Sequence, residues 1–124
     1  MLPTLQEGDY VGIDRSAYLN HTPERGDLIV FKKENQPDLL KRVIGLPGET
    51  IEVRDGQVLI NGTLIDEPYV EREPNYDMEP VAIEADHVFV LGDNRPNSSD
   101  SHVWGTVPIS DIIGQAISIR SNAK

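Results

Sequence analysis

At 124 residues the chain has room for one domain, expected to span 1–124, with a core that needs no cross-links. Its 21 acidic residues against 11 basic ones leave a formal charge of −10, which excludes a nucleic-acid binder built on clustered cations and disfavours an anionic membrane surface. There is no cysteine, so disulfides and thiolate metal sites are excluded while the compartment stays open.

From Tyr10 onward the text is short apolar runs cut by turn residues. The runs are 10–13, 27–31, 40–45, 50–53, 57–60, 88–91 and 116–119; several alternate, and none keeps a 3.6-residue period for three turns. The fold class is therefore all-β, in mainly antiparallel sheets. Asp55-Gly56 lies between two alternating runs and Asn61-Gly62 follows the second, pairs that favour left-handed backbone in tight turns, so 50–65 reads as a hairpin and a return. Residues 66–86 carry Pro68, Pro74, Pro80 and many carboxylates, which reads as an exposed connection with a solvating acidic run rather than a central strand. Pro108 to Ile113, closed by Gly114, reads as one helical turn, the one short helix expected. No run approaches the roughly 20 apolar residues that span a bilayer and no signal peptide opens the text, so the domain itself is expected to be soluble.

Lys41 is the chemical anomaly, a lysine inside the apolar run Leu39-Leu-Lys-Arg-Val-Ile-Gly-Leu-Pro-Gly48. A free lysine at pH 8 is roughly 0.4% neutral, and lowering its pKa by two to three units costs about 3–4 kcal/mol. Burial supplies such a shift by disfavouring the ammonium, and would turn Lys41 into a base. The alternative is an edge-strand lysine with its stem packed and its charge in water. The box Gly92-Asp-Asn-Arg-Pro-Asn-Ser-Ser-Asp-Ser-His-Val-Trp-Gly105 is dense in groups that bond locally, and on composition alone reads as a well-satisfied surface loop.

Lys41-Arg-Val-Ile-Gly-Leu-Pro-Gly-Glu49 resembles the lysine box of the bacterial type I signal peptidases, the serine-lysine enzymes that remove signal peptides from exported proteins. Met1-Leu-Pro-Thr-Leu-Gln-Glu-Gly-Asp9 resembles the segment after their nucleophile, and Gly92 to Ser101 resembles their C-terminal box. Three boxes in order cover nearly the whole chain. The resemblance implies a compact β domain, Lys41 as the catalytic base, and a serine immediately before Met1 as nucleophile. That serine and the oxyanion donors around it lie outside the sequence, so the chain as written is expected to be inactive.

The resemblance also implies that Ser98 orients the lysine amine and that Asp93 and Asp100 hold the site through ion pairs, with Arg42 and Arg95 as partners. At 102 the family usually has arginine and this chain has histidine, which makes one supporting pair weaker or sensitive to pH near the histidine's own titration. Met1, Pro3, Leu5 and Leu40 would line the pocket for the residue before the scissile bond; plain core packing is the other use for these side chains. The partners implied are signal peptides with small residues before the cleavage point, bound as an extended strand, and a membrane reached through an N-terminal helix outside the sequence. The implied location is the extracytoplasmic face of the bacterial membrane, with no nucleic acid, metal or cofactor.

Other chemistry is weakly supported. Ser16, Ser98, Ser99, Ser101, Ser110, Ser118 and Ser121 include none in a Gly-x-Ser-x-Gly elbow, and His21, His87 and His102 show no His-Glu-x-x-His spacing. The Asn-x-Ser/Thr triplets at Asn20, Asn61 and Asn97 read as chance. A self-cleaving serine-lysine regulator shares the dyad but not the Gly-Asp-Asn-Arg box. The rival from another class is a peptide-binding module that keeps the groove without activity.

Overall fold

A computed structural model describes residues 10–19, 22–67, 74, 76–93, 95 and 100–120. Its strands are β1 (Tyr10–Asp14), β2 (Leu28–Phe31), β3 (Leu39–Gly45), β4 (Thr50–Arg54), β5 (Gln57–Ile60), β6 (Thr63–Leu64), β7 (Met78–Ala82), β8 (His87–Leu91), β9 (Val107–Pro108) and β10 (Ile112–Arg120). One sheet runs β1-β10-β2-β3-β8-β9 and the other β6-β5-β4-β7, and every pairing is antiparallel. All seven apolar runs are strands, as the alternation requires.

The turns follow their dipeptides. Asp55 and Gly56 have φ of 54° and 77°, and Asn61 and Gly62 have 51° and 82°, so both pairs take the left-handed backbone that matches the twist of the strands they join. Val53 faces Val58 across the first turn and Ile60 faces Thr63 across the second.

Two expectations need correction. Residues 66–86 hold a strand, β7, despite Pro80; it lies at the sheet edge, and Pro80 is not among its paired residues. An edge strand needs N–H groups on one side only, so a missing one there breaks no ladder. The second correction concerns the helices, of which the sequence suggested one. The turn after Pro108 is a 3-10 turn, Ile109–Asp111, and Ile112 already starts β10, which runs through Gly114. A second helical piece, α1 (Ser101–Trp104), lies inside the C-terminal box. Four residues carry no readable period; α1 is held by its caps, Asp100 accepting from the His102 N–H and Gly105 at φ 94° returning its N–H to Ser101 O.

The central pair β3–β8 is buried on both faces. Ile44, Phe89 and Leu91 join Ile51, Val53, Val58, Ile60 and Ile83 in a core between the sheets, while Val43, Val88 and Val90 join Ile29, Phe31 and Val107 in a second core. This split follows the two-residue period of the strands. Gly45 sits where the β3–β8 register shifts, and a Cβ there would run into Ile83 Cδ1 and lie 3.0 Å from Phe89 Cβ. Gly45→Ala is expected to lower stability by about 1–3 kcal/mol in urea unfolding, because neither neighbour can move without disturbing the first core.

Candidate active site

Lys41 is the third residue of β3 and pairs with Ile29 of β2. On the other side Arg42 pairs with Leu91 of β8, so continuing that register by one residue sets Lys41 opposite Gly92, the first residue of the C-terminal box. A lysine in the sheet interior is thereby brought beside a loop rich in carboxylates. Its side chain is half-buried. Burial pulls its pKa below the ordinary lysine value, and the carboxylates of Asp100 and then Asp93 oppose the shift without cancelling it.

Arg42 points the other way from Lys41, as strand alternation dictates. Its guanidinium grips the fully buried Asp93 through two bonds of 2.9 Å, from Nε to Oδ1 and from Nη2 to Oδ2, and Nη1 donates to Gly26 O at 2.9 Å. Asp93 therefore shares its charge with a fixed cation. Asp100, also fully buried, accepts from the Gly92 N–H at 3.0 Å through Oδ2 and from the His102 N–H at 3.1 Å through Oδ1. The His102 ring closes on the same Oδ1 through Nδ1.

The expected pairing of Arg95 with a box carboxylate is not what forms. Arg95 is fully buried; Nε donates to Gly92 O at 2.7 Å, and its two terminal nitrogens take the Glu67 carboxylate at 3.1 and 2.6 Å. Glu67 belongs to the stretch read as solvating acid, so part of that stretch is a structural strut. Tyr76, from the same stretch, lies flat on His102 with ring centroids 3.9 Å apart and planes 6° from parallel. Its hydroxyl is buried, with no hydrogen-bond partner among the described residues. Burial raises the Tyr76 pKa, so the phenol is neutral at physiological pH. Neither Glu67 nor Tyr76 carries a local sequence signal, since the Arg95–Glu67 contact spans 28 residues.

Arg95 and Asp100 thus meet at Gly92, Arg42 holds the next residue Asp93, and the charges of Asp100 and Asp93 are felt at Lys41. Leu40 is half-buried and faces Val30 across the strands, one residue from Lys41 and on the other face of β3. Met1, Pro3, Leu5 and Ser98 lie outside the described residues. Ser101, one of the sequence's candidate hydroxyls, is buried, and its Oγ accepts from the Val90 N–H at 3.0 Å, so it holds the box onto β8. Among the described residues no group of His, Asp or Glu could hold a metal ion, and no helix is long and apolar enough to cross a membrane. A hollow of about 410 Å³ runs along β5 and β6; of the residues around Gly92 only Glu67 lines it, among those described.

The site is thus a strand lysine with a lowered pKa beside the buried carboxylates of Asp93 and Asp100, in a domain of antiparallel sheets. The chain matches the family described as signal peptidase, peptidase S26, over residues 1–120, and it belongs to that family. Signal peptidase I of Leptolyngbya laminosa is 48% identical over 94% of this chain and 62% of its own length. Probable signal peptidase I-1 of a Synechocystis strain is 43% identical over 94% of this chain and 64% of its own. The chain therefore spans under two thirds of these relatives. A crystal structure of a signal peptidase I from Enterococcus faecalis V583 superposes with a TM-score of 0.69 at 33% identity, covering 78% of this chain and 97% of that one.

Proposed function

We propose that this chain is the catalytic portion of a serine endopeptidase that removes signal peptides from exported preproteins, with Lys41 as its base. The observation that carries this reading is the half-buried strand lysine with a lowered pKa, set against the carboxylates of the C-terminal box. In this mechanism neutral Lys41 Nζ takes the proton of a serine hydroxyl that the resemblance places immediately before Met1. The serine oxygen attacks the scissile carbonyl carbon. The lysine ammonium then gives the proton to the departing amine, leaving an acyl ester on the serine. Water deprotonated by the same amine hydrolyses that ester and regenerates the enzyme.

Asp93 and Asp100 are positioning residues: Asp93 ties the loop to β3 through Arg42, and Asp100 closes the loop on itself through the Gly92 N–H. Ser98 orients the amine, and Met1, Pro3, Leu5 and Leu40 contact the small residues before the cleavage point. The site works at the extracytoplasmic face of a bacterial membrane, tethered by a helix outside residues 1–124.

Cleavage of a preprotein ending its signal in small residues tests the reading. The assay compares residues 1–124 as written with the same chain carrying a serine and its encoded upstream residues before Met1. Cleavage at the small-residue site by the serine-bearing form alone is the expected result. Binding of the peptide by both forms with cleavage by neither, in detergent or lipid, would replace the enzyme by a peptide-binding module.

A further inference from the structure

Gly92 is where β8 has ended and the C-terminal box begins, and it is buried. Glycine loses more conformational freedom on folding than any other residue, so the course of the chain here has to be imposed by contacts on the backbone. Both backbone groups of Gly92 are taken by buried, charged side chains: the N–H donates to Asp100 Oδ2 at 3.0 Å and the C=O accepts from Arg95 Nε at 2.7 Å. The two bonds lie on either side of the Gly92 Cα and so fix its φ and ψ together. Those angles set where Asp93 lies, and from there its carboxylate meets Nε and Nη2 of Arg42, the residue that follows Lys41 on β3.

Arg95 works in two directions. While Nε holds Gly92 O, Nη1 and Nη2 donate to the Glu67 carboxylate at 3.1 and 2.6 Å. A bidentate carboxylate fixes the plane of a guanidinium, and Nε lies in that plane, so Glu67 decides where Nε points. Glu67 follows β6, an edge strand of the other sheet. It is the place where the second sheet reaches the hinge of the box. On the strand side of the hinge the Val90 N–H donates to Ser101 Oγ, a contact that does not run through Arg95.

We propose that Glu67 is a positioning residue of the peptidase reaction: by aligning Arg95 it fixes the Gly92 backbone, and with it the place of the C-terminal box beside the strand that carries Lys41. The inference rests on Lys41 acting as the base, and adds a residue from outside the three boxes on which the surroundings of that base depend. Without the carboxylate the Arg95 plane is free to turn, Nε leaves Gly92 O, and Asp93 loses its fixed approach to Arg42. Such a change acts on the alignment of reacting groups, so it lowers kcat and leaves KM.

The experiment compares the full-length protein, with its encoded upstream residues, with Glu67→Gln, Glu67→Asp, Arg95→Lys and the Glu67→Gln/Arg95→Lys pair. It reads kcat and KM on a preprotein at a temperature where each variant is folded, and amide hydrogen exchange by NMR at Gly92 and Val90. Glutamine keeps the size of Glu67 without its charge, aspartate keeps the charge at shorter reach, and lysine has no fork to hold Gly92 O and both Glu67 oxygens. In Glu67→Gln kcat should fall about 10-fold or more with KM within about twofold, and Glu67→Asp should lie between it and the parent. Gly92 exchange should speed up about 10-fold relative to Val90, because the hinge opens without the strand. The pair should be no slower than Arg95→Lys alone, since Glu67 acts through Arg95. An unchanged kcat with a lower melting temperature would overturn the inference and leave Glu67 a strut of the fold. Equal loss of protection at Gly92 and Val90, or losses that multiply in the pair, would overturn it too. If Glu67→Gln does not fold, Glu67→Asp decides by the same two readings. A parent that cuts nothing would instead fail the endopeptidase reading and the catalytic half of this inference, while the exchange ratio would still decide the clamp on Gly92.

Discussion

Replacing Lys41 by methionine is expected to reduce preprotein cleavage by the full-length protein by about 10³-fold or more, while the folded domain becomes more stable at neutral pH. The two effects share one cause. Burial lowers the Lys41 pKa from its ordinary value of 10.5, so between the folded and unfolded values the unfolded chain binds more protons than the folded one. Stability therefore rises with pH across that window, and the cost of burying the lysine is fully present below the folded pKa. Methionine has a similar length, fills the same space and carries no proton, so it removes that cost. Thermal unfolding should show Lys41→Met melting higher at pH 7, with the gain fading as the pH approaches 10.5. A variant that cuts at near-normal rate would take Lys41 out of the mechanism. One that loses activity together with its folded state would leave the rate loss without meaning, which is why both measurements are paired.

The second large effect is expected at Asp93. Arg42 is 12% exposed and Asp93 not at all, so this pair is out of water and held by two hydrogen bonds. Breaking a buried pair by removing one partner costs about 3–5 kcal/mol, because the remaining charge keeps its desolvation penalty. Asp93→Ala should lower the urea midpoint accordingly, and Asp93→Asn, which keeps the side chain's volume and one acceptor for Arg42, should cost less. The contrast is with Arg54–Glu52, where Arg54 is 60% exposed at 3.8 Å; such a pair contributes at most about 1 kcal/mol. Because the Arg42 guanidinium also holds Gly26 O, the loss at Asp93 should loosen the Gly26–Asp27 approach to β3. An Asp93→Ala protein as stable as the parent would show that the C-terminal box is anchored elsewhere.

The strands were legible because a two-residue period and a turn dipeptide are local properties. Asp55-Gly56 and Asn61-Gly62 specify their turns whatever surrounds them, and the buried alternation of β3 and β8 is written in Val43, Ile44, Val88, Phe89, Val90 and Leu91. β7 was hidden by Pro80, since whether a proline is tolerated in a strand depends on which strands lie beside it, and no neighbour is named in the local text. α1 was hidden by its length.

At the site, the sequence by itself marked Lys41 as out of place among apolar residues, and its three boxes identified the family. It also supplied Arg42, Asp93 and Asp100 as the groups that would surround the lysine. Tertiary structure alone decided the pairing: Arg95 takes Glu67 and not a box carboxylate, and Asp100 meets His102 under the Tyr76 ring. Charge patterns along a chain state how many partners are available but not which will meet. A carboxylate and a guanidinium 28 residues apart become neighbours only when the edge of one sheet is folded against the loop of the other, and desolvation then makes their contact obligatory.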